Sequence, residues 1–175
     1  GTGHIRTHLV NEGTISADVN GATLWISDLS GINSNLMRAT DGGNLTITIP
    51  YTQSDAGRIL AETGSSVTLS GMSISGGQLQ SHGTGVINTQ GSMSLGTLTN
   101  AATMRVVPGN TTYLIGGSTL TNNSTLSVGS KITSGNAYLV TYNGPVSLMG
   151  TGSLVLDSFE DIGLGDWTAQ LVPAG

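Results

Sequence analysis

The chain has 175 residues, 27 glycines, no cysteine, a formal net charge of −5, and only 9% charged and 4% aromatic residues. That length suffices for one well-buried core and requires no second domain. Its cations, Arg6, Arg38, Arg58, Arg105 and Lys131, are scattered, which argues against nucleic acid and anionic membrane surfaces as partners. Without cysteine there is no disulfide framework and no thiolate metal site.

Residues 1–9 lack a positive stretch followed by an apolar one and read as a leader or appended segment. From residue 10 onward a short phrase returns in altered form. It reads Gly13-Thr14-Ile15-Ser16-Ala17, then Asn35-Leu36-Met37-Arg38-Ala39, then Gly57-Arg58-Ile59-Leu60-Ala61. It comes back around Ile87, Met104, Leu126 and Leu154. A period of about twenty residues marks units too small to bury their apolar face alone, which must stack on copies of themselves.

Between these copies, Leu24-Trp25-Ile26, Leu45-Thr46-Ile47-Thr48-Ile49, Val67-Thr68-Leu69, Met72-Ser73-Ile74, Met93-Ser94-Leu95, Tyr138-Leu139-Val140 and Val146-Ser147-Leu148 alternate apolar and polar residues. Period two predicts short strands with one buried face. Asn20-Gly21, Asp41-Gly42-Gly43-Asn44, Gly76-Gly77, Pro108-Gly109-Asn110, Gly116-Gly117 and Asn143-Gly144-Pro145 supply the corners. Helix signals are nearly absent.

The first coil lays out as Ile15 and Ala17 inward, a turn over residues 18–21, Leu24 and Ile26 inward, and a third segment near residues 29–32 returning to Met37. The long steps into Ile87 and Leu154 are read as loops bulging from one corner. Crossovers between parallel strands of one sheet are overwhelmingly right-handed. The expected fold is therefore all-β, a right-handed parallel β-helix (β-solenoid) of about seven coils over residues 10–156, roughly 35 Å long. Residues 157–175 are expected to form a terminal loop or cap.

The phrases Val10-Asn11-Glu12-Gly13-Thr14-Ile15-Ser16-Ala17, Leu98-Thr99-Asn100-Ala101-Ala102-Thr103-Met104 and Leu120-Thr121-Asn122-Asn123-Ser124-Thr125-Leu126-Ser127-Val128 resemble the coils of bacterial surface β-helix proteins, the autotransporter passengers and filamentous-haemagglutinin-like exoproteins. The resemblance spans most of residues 9–156. It implies a secreted or cell-surface protein. The task stays open, since those families include adhesins, toxins, scaffolds and some enzymes.

Candidate chemistry is sparse. No Asp or Glu occurs between Glu62 and Asp157, so the middle coils cannot gather the carboxylates that general acid–base work or calcium requires. Asp18 and Asp41 occupy comparable positions after strands and read either as an acidic pair or, preferentially, as turn residues capping their own backbone. Asp157, Glu160, Asp161 and Asp166 lack EF-hand spacing and read as a solvated loop rather than a calcium site. His4, His8 and His82 lie far apart and offer no zinc motif.

Trp25 points outward if Leu24 and Ile26 point inward. It reads equally as a stacking plane for a sugar and as a residue covered by a neighbouring loop. Trp167 reads as a plug at the end of the stack, and Tyr51 as marking a corner. Asn44, Asn110 and Asn123 head formal glycosylation triplets. A threonine ladder for ice is disfavoured because Thr46 and Thr48 show no aligned counterparts.

The expected function is that of a non-enzymatic extracellular stalk, adhesin or self-assembling surface module, with no catalytic residue, metal or cofactor. Self-association through coil ends or lateral faces, and host or environmental glycans, are the expected partners. The alternatives are a polysaccharide-degrading or tailspike-like enzyme on the same scaffold and a glycan-binding module centred on Trp25.

Overall fold

The period-two segments close into a three-sided coil. The computed structural model describes residues 2–27, 29–131 and 134–157, and the backbone of Ala169–Val172. All secondary structure among these residues is strand, and each side of the coil is one parallel sheet. The first sheet holds eight strands, from Gly3–Arg6 and Thr23–Ser27 to Ser153–Asp157. The second also holds eight, from Leu9–Asn11 and Gly31–Asn33 through Ala137–Tyr142 to Ala169–Val172. The third holds seven, from Thr14–Ala17 and Leu36–Ala39 to Ser147–Met149. Each strand pairs with its counterpart about one coil away, so the chain is a parallel β-solenoid with close to the expected number of coils.

Alternation and stacking together make the core. In the first sheet Leu45, Val67, Ile87, Met104 and Leu126 lie in one register column and are fully buried. In the third, Met37, Ile59 and Leu79 do the same above half-buried Ile15. Each such side chain contributes about 1.5–3 kcal/mol through burial. In the first sheet this apolar column runs from Leu24 to Leu154, whereas in the third it passes from Leu79 into Asn100 and Asn122.

Several expectations change. The recurring phrase does not form one column: its first three copies belong to the third sheet, whereas Ile87, Met104, Leu126 and Leu154 stack in the first. Ile59 is followed one coil later by Leu79, so the long step into Ile87 is a change of sheet rather than a bulging loop. The step into Leu154 does contain extra chain, between Thr125–Gly129 and Ala137–Tyr142. Residues 1–9, read as a leader, supply the strand Gly3–Arg6 and part of Leu9–Asn11 to the first coil. At the far end, Ala169–Val172, assigned to a cap, pairs with Ala137–Tyr142 in the second sheet.

The corners between sheets are held by buried polar ladders. Asn33, fully buried, accepts from the Asn11 Nδ2 at 2.7 Å and donates its own Nδ2 to Gln53 Oε1 at 2.9 Å. Asn11, Asn33 and Gln53 donate in addition to the backbone carbonyls of Leu36, Arg58 and Gly76. A second ladder runs from Asn100 to Asn122, 2.7 Å apart, and on to the Ser153 carbonyl. The Thr89 and Thr112 hydroxyls meet at 2.7 Å at another corner. These groups satisfy the backbone where the sheet ladders break, as buried polar groups must.

Candidate functional site

Outward-facing residues form rows along the three sides. On the first side the row is His4, Trp25, Thr46, Thr68, Asn88, Arg105, Ser127. Trp25 does point outward, as alternation requires. It is 37% exposed, and its ring lies parallel to that of His4, centroids 6.0 Å apart and planes 8° apart. Part of one ring face is therefore taken by a residue placed in the leader. Thr46 does have an aligned counterpart, Thr68, but tryptophan, asparagine and arginine interrupt the row, so no threonine array forms.

The acids do not converge. Ala17 pairs with Ala39, which puts Asp18 level with Thr40 and leaves Asp41 one residue further along. Both carboxylates are exposed, and Asp41 has a φ of 54°, that of a turn residue. One corner further up, Glu62 Oε2 meets His82 Nδ1 at 2.9 Å across one coil, a pair not foreseen from the sequence. At such exposure a pair of this kind contributes little to stability. Among the described residues no three His, Cys, Asp or Glu side chains come together as a metal site. Glu160, Asp161, Asp166 and Trp167 lie outside the described residues. Asp157 ends a strand of the first sheet.

The glycosylation triplets divide by geometry. The Asn44 amide nitrogen donates to the Ala22 carbonyl, and that of Asn110 donates to the Val107 and Pro108 carbonyls. Asn123 is exposed.

Tyr51 is inward rather than at a corner: it opens the strand Tyr51–Gln53, is 3% exposed, and stacks directly above Gly31. A Cβ at Gly31 would come within 2.5 Å of the Tyr51 ring, so the missing side chain makes the ring's space. The Tyr51 hydroxyl has no hydrogen-bond partner, and burial pushes its pKa up from 10.0 to about 12. Tyr51→Phe should therefore stabilise the protein by about 1 kcal/mol at neutral pH, because a hydroxyl desolvated for no return disappears. The folded-state pKa is raised, so native stability is intact below pH 10 and falls as the pH rises toward 12, by a few kcal/mol at most. The Phe variant lacks that increment. Urea titrations of both proteins at pH 7 and pH 11 would show it, and a Tyr51→Phe protein less stable than wild type would refute the unpaired hydroxyl.

The second side differs from the others. No Asp, Glu, Lys or Arg occurs in any of its strands. Its outward residues run from Val10 and Ile32, both exposed, through Ser73, Ser75, Ser92 and Ser94 to Tyr113, Tyr138 and Tyr142. Tyr113 and Tyr142 meet edge to face, centroids 5.7 Å apart at 66°. With Ser92 and Ser94 they line a recess of about 290 Å³. A groove of about 480 Å³ crosses the same side over Ile32, Thr52, Ser73, Ser75 and Gly96. The sequence did not disclose this grouping, because Tyr113 and Tyr142 meet only once the register of Ile115 with Tyr142 is known.

The chain matches no known family, no curated protein and no solved structure. What its fold defines is a β-solenoid built from sequence repeats.

Proposed function

We propose that the chain is a non-enzymatic extracellular segment of a bacterial surface protein, a stiff rod serving as stalk or adhesive module. The supporting observation is the unbroken register of three parallel sheets, with apolar columns and polar ladders running from coil to coil. Such a body resists bending because each coil is locked to the next across its whole section. It presents long side faces, and side faces are what an adhesive or spacing module uses. The low charge and the Ser, Thr and Asn surface are in keeping with an exported setting, as is the resemblance of the repeats to surface β-helix coils.

The competing reading, a polysaccharide-degrading enzyme, needs carboxylates facing one groove, and Asp18 and Asp41 sit at different levels of an exposed corner. The purified chain, incubated with acidic and neutral polysaccharides, is expected to release no reducing ends and no unsaturated sugars. Turnover that disappears in the Asp18→Asn/Asp41→Asn double variant would replace the stalk with an enzyme. Small-angle scattering should give an elongated particle in the same preparation.

A further inference from the structure

We propose that the second side of the solenoid carries a binding trough for an uncharged saccharide chain, with Tyr113 and Tyr142 as its aromatic wall and Ser73, Ser75, Ser92, Ser94 and Gly96 as its floor. The inference rests on the reading of the chain as an adhesive module and names the ligand of that module.

The trough follows from side-chain size in register. Along one outward row, Ser73, Ser94 and Tyr113 succeed one another on adjacent coils, and in the neighbouring row Ser92 precedes Thr111 and Tyr138. Small residues thus occupy the middle coils, Ile32 and Thr52 rise on one flank, and tyrosines rise on the other. The two recesses adjoin, because Ser94 of one pairs with Ser73 of the other. Gly96 extends the floor: a Cβ there would press to 2.9 Å on that of Ser75.

The chemistry is that of a pyranose. A sugar ring has an apolar C–H face, which seeks an aromatic plane, and a rim of hydroxyls, which seeks uncharged donors and acceptors. Tyr142 is 50% exposed and held at an angle by Tyr113, so its ring is presented and fixed. Among the described residues, the hydroxyls of Ser73, Ser75, Ser92, Ser94, Tyr113 and Tyr142 are engaged by no other protein group. On the other two sides some polar side chains are paired with one another, as Ser66 is with Asn44 and Ser16 with Arg38. Free hydroxyls beside a rigid aromatic are adaptable contacts at low ordering cost. The absence of any ionised side chain in the strands of this sheet removes both the attraction that an anionic polymer would need and the desolvation cost of burying charge under a neutral one. Trp25, on the first side, lies outside this trough and already stacks on His4.

The test uses the full chain and an array of oligosaccharides: neutral glucans, mannans and galactans beside uronate-containing and sulfated ones. Wild type should be retained on neutral chains, with retention unchanged between low and high salt. Tyr142→Ala, at a half-exposed position, should keep its melting temperature and lose about tenfold in affinity or more. Ser94→Phe, a residue strands accept readily, should fill the floor and abolish retention. Trp25→Ala should bind as wild type does. Retention confined to charged sugars overturns the trough, as does loss in Trp25→Ala with none in Tyr142→Ala. So does a change in sedimentation rather than glycan binding in the tyrosine variant, which would make this side a contact between copies. No retention and no cleavage removes the trough and leaves the rod reading intact. Retention with cleavage overturns the non-enzymatic reading instead.

Discussion

Asn33→Ala should destabilise the protein by about 3–5 kcal/mol, among the largest effects of any single polar substitution in the stack. The side chain is fully buried and makes three hydrogen bonds: it accepts from Asn11 and donates to Gln53 and to the Arg58 carbonyl. Truncation strips the buried Gln53 Oε1 and the partly buried Arg58 carbonyl of a donor, and a stranded buried acceptor costs about 1–3 kcal/mol. Asn33→Leu restores volume but strands the same acceptors, so it should fare little better. Asn11→Ala, at the end of the ladder, should cost less, because Asn33 keeps its bonds to Gln53 and Arg58. Urea titration measures these differences, and a Cm shift worth less than about 1 kcal/mol for Asn33→Ala would show the ladder to be dispensable. Hydrogen exchange adds a spatial check. In a quasi-one-dimensional stack the loosened amides should lie in the coils flanking Asn33, with those around Leu126 unaffected.

That ladder also shows where the sequence is hard to read. The buried rungs at Met37, Leu45, Ile59 and Val67 are legible because alternation is a local property, visible within five residues. Which sheet a rung joins is not local. Any strand that follows a tight corner and is buried on one face has much the same small–apolar–polar–apolar make-up. Ile59 and Ile87 therefore sound alike, yet stand on different sides of the coil. Asparagine misleads for a related reason. Its usual place is a turn, so nothing local marks Asn11, Asn33 and Asn122 as core residues. In the folded chain they end strands and face inward, at the same inter-coil spacing as the apolar rungs. That shared spacing was the available signal. The outward aim of Trp25 was legible, but its partner was not, since His4 stood in residues read as lying outside the stack. The tyrosine wall was invisible for a stronger reason: the added chain between Gly129 and Ala137 shifts the period, so no constant offset connects Tyr113 with Tyr142.

A second large effect is expected at Gly76. This residue sits at the upper end of the asparagine ladder, where its carbonyl accepts from Gln53 Nε2 and its N–H donates to the Thr97 carbonyl. Its φ is +78°, and a Cβ added to it would collide with the Gln53 carbonyl oxygen of the coil beneath. Positive φ alone costs a non-glycine residue about 1–2 kcal/mol. The collision is with backbone, which cannot swing away as a side chain could, so the two coils would have to part and the Gln53 bond would stretch. Gly64 separates the two contributions: its φ is +75°, and nothing lies within 4 Å of where its Cβ would be. Gly64→Ala should therefore cost only the conformational increment, about 1–2 kcal/mol, whereas Gly76→Ala should cost upward of about 4 kcal/mol or prevent folding. Gly64→Asn should be nearly neutral, because asparagine tolerates the left-handed region. Chemical denaturation of the three variants gives the comparison. Equal losses at Gly64→Ala and Gly76→Ala would mean that backbone conformation, and not the close approach of one coil to the next, is what demands glycine at these corners.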